Sequence, residues 1–93
     1  MIEYLHNAIR ATTGEDISVK AKIVGFDGVA IESNCHFMIF DMDDNLIAMG
    51  NGVCGEDNLW TFNVPTADLK GTYTYCICHE NERLCFKQPI YFV

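Results

Sequence analysis

The fold is decided by the stretch Ile17-Ser18-Val19-Lys20-Ala21-Lys22-Ile23-Val24. Ile17, Val19, Ala21 and Ile23 alternate with Ser18, Lys20 and Lys22. A strand sends successive side chains to opposite faces, so this period of two describes a strand with one oily face and one wet face. Gly25-Phe26-Asp27-Gly28 ends it, because an Asp-Gly pair supplies the positive φ that a tight reversal needs.

The same rhythm continues outward from this strand. Cys35 to Phe40 is apolar, and Asp41-Met42-Asp43-Asp44-Asn45 turns the chain back into Leu46–Met49. Asn51-Gly52 and Gly55 predict a loose polar loop over 51–58. Leu59-Trp60-Thr61-Phe62-Asn63-Val64 is the next strand, stopped by Pro65, which has no amide hydrogen for a ladder. Beyond Gly71, Tyr73, Tyr75 and Ile77 alternate with Thr72, Thr74, Cys76 and Cys78. A turn at Glu80-Asn81-Glu82-Arg83 leads into Leu84–Val93, where Pro89 calls for an edge or a bulge over at least part of the strand. At the other end, Ile2, Leu5 and Ile9 are spaced to line a helix face, but the early turn at Thr13-Gly14-Glu15-Asp16 favours a strand over 2–10.

The result is about seven strands with turn signals about every 8–12 residues, the pattern of an all-β, antiparallel β-sandwich. A partly open barrel, or one sheet backed by a helix over 2–10, are the other arrangements the pattern admits. The 93 residues make a single domain, 1–93. At 49% hydrophobic and 20% charged the composition is that of a folded domain. No apolar run reaches the roughly 18–20 residues of a membrane-spanning helix. Asp and Glu number 13 against 6 Lys and Arg, a formal charge of −7 that repels phosphate and disfavours nucleic acid and anionic lipid as partners. Met1-Ile2-Glu3-Tyr4-Leu5-His6 lacks the basic and apolar regions of a secretory signal, so the expected place of synthesis is a cytosol.

The five cysteines are Cys35, Cys54, Cys76, Cys78 and Cys85, an odd set that favours reduced, packed thiols. A hairpin turn at 80–83 sets Cys78 opposite Cys85, with Cα atoms about 4.5–5.5 Å apart. That leaves three readings for Cys76, Cys78 and Cys85: packed thiols, a Cys78–Cys85 disulfide, or a metal site. The last is hampered by a flat strand and by His79, which points to the opposite face. Cys35 and His36 are adjacent and face opposite ways, so they share a proton poorly. Asp41-x-Asp43-Asp44-Asn45 opens like a calcium loop, but Leu46 and Gly52 stand where such a loop needs Gly and Glu, so a capped turn is expected. No nucleophile elbow surrounds Ser18 or Ser33, and no Gly-rich phosphate loop is present. The aromatic residues sit mostly at inward phase. Ile90-Tyr91-Phe92-Val93 is the exception, since four successive apolar residues cover both faces of a strand.

Asp68-Leu69-Lys70-Gly71-Thr72-Tyr73-Thr74-Tyr75 resembles the Asp-x-Gly/Ala-x-Tyr-x-Cys stretch of immunoglobulin domains. The resemblance implies a tyrosine corner at Tyr73, whose hydroxyl bonds to upstream backbone, and puts Tyr75 where the family has its inter-sheet cysteine. It implies an immunoglobulin-like sandwich lacking that disulfide. A wider rhythm joins Asn7–Ile17 through Gly14-Glu15-Asp16, Phe37–Asp41, Trp60-Thr61-Phe62-Asn63-Val64-Pro65, Gly71–Cys78 and Leu84–Val93. It resembles small immunoglobulin-like virion proteins of tailed bacteriophages, especially those of gut bacteria.

That resemblance implies a non-catalytic virion structural protein, a capsid decoration or auxiliary protein or a head-fibre or tail adaptor. It would be made in the bacterial host cytoplasm and act in many copies by docking to other virion proteins, without cofactor, nucleic acid or membrane. The expected contact residues are Ile2, Tyr4, Leu5, Ile9, Ile90, Tyr91, Phe92 and Val93. The alternatives are a carbohydrate- or cell-surface-binding module using the 51–58 loop near Trp60, and a small zinc or redox protein using Cys76, Cys78 and Cys85.

Overall fold

The computed structural model describes residues 2–3, 8–25, 27–80, 82–84 and 86–93. Its strands are β1 (Ile2–Glu3), β2 (Ile9–Ala11), β3 (Ile17–Lys20), β4 (Lys22–Ile23), β5 (Cys35–Phe40), β6 (Leu46–Cys54), β7 (Leu59–Phe62), β8 (Gly71–His79), β9 (Glu82–Arg83) and β10 (Gln88–Phe92). Glu56–Asn58 forms one 3-10 turn. The expected strand over 2–10 is represented by β1 and β2, and residues 4–7 lie outside the described residues.

One hydrogen-bonded path runs β2-β10-β8-β5-β6-β7-β3, β9 adds to β8, and β1 pairs with β4 apart from it. The pairs are antiparallel except that of β10 with β2, which is parallel. The path makes two layers because β6 changes partner. Its residues 46–51 pair with β5 and 52–54 with β7. Phe37 of β5 and Phe62 of β7 then meet across the interior, with ring centroids 5.2 Å apart. Trp60, Ile39, Ile77, Ile90 and Phe92 complete a fully buried core.

The alternation read in 17–24 holds throughout: Ile17, Val19, Ala21 and Ile23 are all buried. The stretch nevertheless serves two sheets. Ala21 leaves the β3–β7 ladder to donate its amide to the Asn58 carbonyl at 3.0 Å, and the chain resumes as β4 against β1.

Two local expectations are corrected. Residues 51–54 are strand rather than loop. A Cβ on Gly50 would stand 1.9 Å from the Asn63 carbonyl oxygen, and one on Gly52 would stand 2.4 Å from the Phe62 ring. These glycines mark close approach inside a strand, not a turn. Second, β9 pairs with β8 as Cys78↔Arg83 and His79↔Glu82, while β10 pairs as Gln88↔Tyr75 and Pro89↔Thr74, so the register shifts by two residues between them. Cys78 therefore faces Arg83 rather than residue 85, and Cys85 lies outside the described residues. The partial edge expected at Pro89 is present: β10 is flanked by β8 and β2 only from Ile90 onward. Pro89 is accommodated because pairing with β2 starts only at Ile90, leaving a local edge at the proline.

Candidate docking surface

The first half of β6 has β5 on one side. Among the described residues its other side is open over 46–49; at Gly50 it abuts the backbone of residue 63, and the Asn51 carbonyl accepts from the Asn63 amide at 3.0 Å before β7 pairs at Gly52. An unpaired strand side presents amide and carbonyl groups to any chain that meets it. Leu46, Ile47 and Met49 there are 48%, 40% and 52% exposed, while Ala48 between them turns into the core. The run is apolar on both sides because of a β-bulge. Ala48 pairs with Ile39 and Leu46 with Phe40, so Ile47 is the extra residue and its side chain is left outside. Met42, in the preceding turn, is exposed as well.

The turn that delivers β6 is held by one carboxylate. Asp41 Oδ1 accepts from the amides of Asp43 and Asn45, each at 2.9 Å, and Oδ2 accepts from the Asn45 side-chain amide at 3.1 Å. The Asn45 amide is the main cause, followed by the Asn45 side chain, of an Asp41 carboxyl held below its ordinary range. The carboxylate thus acts as the turn cap expected from its sequence. Lys87 reaches the same turn, with Nζ 2.7 Å from Asp44 Oδ1 and 3.9 Å above the Phe40 ring.

The outer face of β5 and β8 carries a second apolar cluster, in which Met38 packs against Phe40, Cys76 and Cys78. On the inner face, Cys35 is fully buried. Desolvation first, then nearby Cys54 and Cys78, push its thiol up to about 11. His36 turns the other way and its Nδ1 lies 2.6 Å from Asn51 Oδ1. The Cys35-His36 pair is split between faces, as adjacent strand residues must be.

Of the residues expected to make contacts, Ile90 and Phe92 are fully buried in the chain's own core. They belong to the inward face of an interior strand, so they have no surface to offer. Tyr91 and Val93 point outward at 49% and 41% exposure. Ile2 and Ile9 are half-buried against the core, and Tyr4 and Leu5 lie outside the described residues. Trp60 is only 1% exposed and gives the 51–58 segment no aromatic platform. The patch on β6 escaped the sequence reading, although Leu46-Ile47-Ala48-Met49 carries the same signal as Ile90–Val93, four apolar residues in a row.

Tyr73 makes the upstream contact expected of a tyrosine corner: its hydroxyl accepts from the Lys70 amide at 3.4 Å. No family model and no curated protein matches the chain. Among solved structures it is similar to the Lin-41 filamin domain, with a TM-score of 0.60 and 10% sequence identity over all of this chain and 90% of that one. The likeness is one of fold. The chain is an all-β, immunoglobulin-like β-sandwich.

Proposed function

We propose that this protein is a non-catalytic structural subunit of a phage virion, a decoration or adaptor protein that docks to other virion proteins in many copies. The setting comes from the resemblance of the whole chain to small virion sandwiches. The observation that carries the docking role is the open apolar side of β6, where Leu46, Ile47 and Met49 stand exposed beside unpaired backbone. A partner strand laid there gains main-chain hydrogen bonds and buries three large side chains. Repetition over a particle turns such a small contact into firm attachment. The carbohydrate reading is not favoured, since its principal feature, Trp60, is a core residue.

The test is quantitative mass spectrometry of particles purified from a culture that carries the gene. The chain is expected in a fixed, multi-copy ratio to the main particle proteins. A chain found in the cell lysate and absent from the particles overturns the proposal.

A further inference from the structure

We infer that the open edge of β6 takes an extended protein segment with a short alternating apolar run and Lys or Arg on both flanks, and not a second copy of this chain. The inference rests on the docking role proposed above and names the chemistry of the partner. The open stretch is Leu46–Met49. At about 3.3 Å per residue it is about 13 Å long. A strand turns only half of its amide and carbonyl groups to each side, so an added strand gains few main-chain hydrogen bonds there. The charges at the two ends of the stretch therefore weigh heavily on which segment is held.

Both ends are acidic. The stretch starts from the turn that carries Asp41, Asp43 and Asp44. Lys87 pairs with Asp44 at 2.7 Å, and among the described residues no ion pair offsets Asp41 or the exposed Asp43. The hydrogen bonds to Asp41 come from neutral amides, which hold its carboxylate without cancelling the charge. At the far end, Gly50 abuts the backbone of residue 63, and the Asn63 side-chain amide donates to the exposed Asp16 Oδ1 at 3.0 Å. That donor is neutral too. A second copy laid antiparallel on the edge brings the acidic turn of each chain beside Asp16 of the other, and laid parallel it brings turn beside turn. Like charges meet in both arrangements. A segment with basic flanks instead meets an opposite charge at each end, while its apolar side chains cover Leu46, Ile47 and Met49, the exposed residues of the stretch.

The experiment selects displayed random peptides of about 12 residues, long enough for the edge and both flanks, on the full chain. The double variant Ile47→Ser, Met49→Ser serves for counter-selection, because it removes apolar surface and leaves the charge unchanged. Peptides kept by the wild type and lost on this variant are expected to carry Lys or Arg on both sides of an alternating apolar run. A labelled synthetic peptide of that consensus, followed by fluorescence anisotropy, should bind Asp43→Lys about three- to tenfold more weakly at low salt. The gap should close at about 0.5 M salt. Neutral or acidic flanks in the selected peptides, or no peptide that depends on β6, overturn the inference. So does a dimer in sedimentation that is lost in the double variant. Particle membership is read separately: a chain absent from particles that still selects basic-flanked peptides sinks the virion placement alone, and a particle protein that selects peptides without such flanks sinks this inference alone.

Discussion

Phe37 and Tyr75 lie face to face, with ring centroids 4.9 Å apart and planes 8° from parallel. Both are fully buried, and Phe37 also contacts Phe62 of the opposite layer. The stack joins neighbouring strands of one layer, and the Phe37–Phe62 contact carries it across to the other. Truncating Phe37 removes contacts to both layers at once. Phe37→Ala is expected to cost about 3–5 kcal/mol, and Phe37→Leu less, because part of the volume is kept. Urea unfolding measures both. A loss below about 1 kcal/mol for the alanine variant would show that the layers are joined elsewhere.

The glycine within β6 and the one just after it should respond according to space. In Gly50→Ala the new Cβ meets backbone of residue 63, which has nowhere to move, whereas in Gly55→Ala the nearest atom is 3.4 Å away. Overpacking costs typically about 1–3 kcal/mol, and a backbone clash belongs at or above the upper end. Gly50→Ala should therefore lower the thermal midpoint by much more than Gly55→Ala. Equal midpoints would mean that β6 does not run past residue 63 as described.

How much of this was legible from the residues alone follows from how local each signal is. Period-two alternation is local, so the inward set Ile17, Val19, Ala21 and Ile23 could be read directly and is buried as read. The corner at Tyr73 is also local, spanning Lys70 to Tyr73. Gly50 and Gly52 look like loop residues because what excludes a side chain there, Asn63 and the Phe62 ring, sits more than nine residues away in sequence. The two-residue offset between β9 and β10 depends on how two ladders meet β8, which no turn residue announces. Docking surfaces are hardest of all. Four apolar residues mark both Leu46–Met49 and Ile90–Val93, and only the neighbours decide which is exposed: β10 is flanked on both sides, while β6 has one side open.

Cys35 gives the fold a weakness at alkaline pH. Its thiol is raised to about 11 by burial, then by Cys54 and Cys78, against about 8.5 for a free cysteine. Between those values the unfolded chain has released this proton and the native chain has not. The unfolded state binds fewer protons, so stability falls as pH rises through this window. Cys35→Ala removes that slope, whatever it does to stability at neutral pH. The check is the midpoint of urea unfolding from pH 7 to 10.5 for both proteins, corrected for the remaining thiols with Cys54→Ala. A slope that persists unchanged in Cys35→Ala would place its origin in another group.

Asp41 acts at the opposite end of the pH scale. Its folded pKa is lowered below the ordinary carboxylate value of about 3.9 by the amides and side chain of the turn. A depressed pKa contributes stability above the unfolded value, and that contribution is lost as pH falls through the folded one. Asp41→Asn should therefore melt below the wild type at pH 7, with the difference shrinking as the pH drops below about 3.9. A constant difference across that range would point to lost packing rather than lost ionisation.

The final prediction separates the two strands that compete for the docking role. Ile47 and Met49 project from β6 at 40% and 52% exposure, so a lysine at either place keeps its charge in water. Such surface substitutions usually change stability by no more than about 0.5 kcal/mol. Ile90 is fully buried, and Ile90→Lys would bury a charge without a partner, which abolishes folding or shifts the lysine to its neutral form. The double variant Ile47→Lys, Met49→Lys should therefore fold like the wild type and yet fail to enter particles, because added charge on an open edge is the means by which proteins prevent strand addition. Tyr91→Lys, equally exposed on β10, should fold and still be incorporated. Melting curves establish folding, and mass spectrometry of purified particles reads incorporation. If the β6 variant is incorporated and the Tyr91 variant is not, the contact belongs to the C-terminal strand and the β6 edge is ordinary surface.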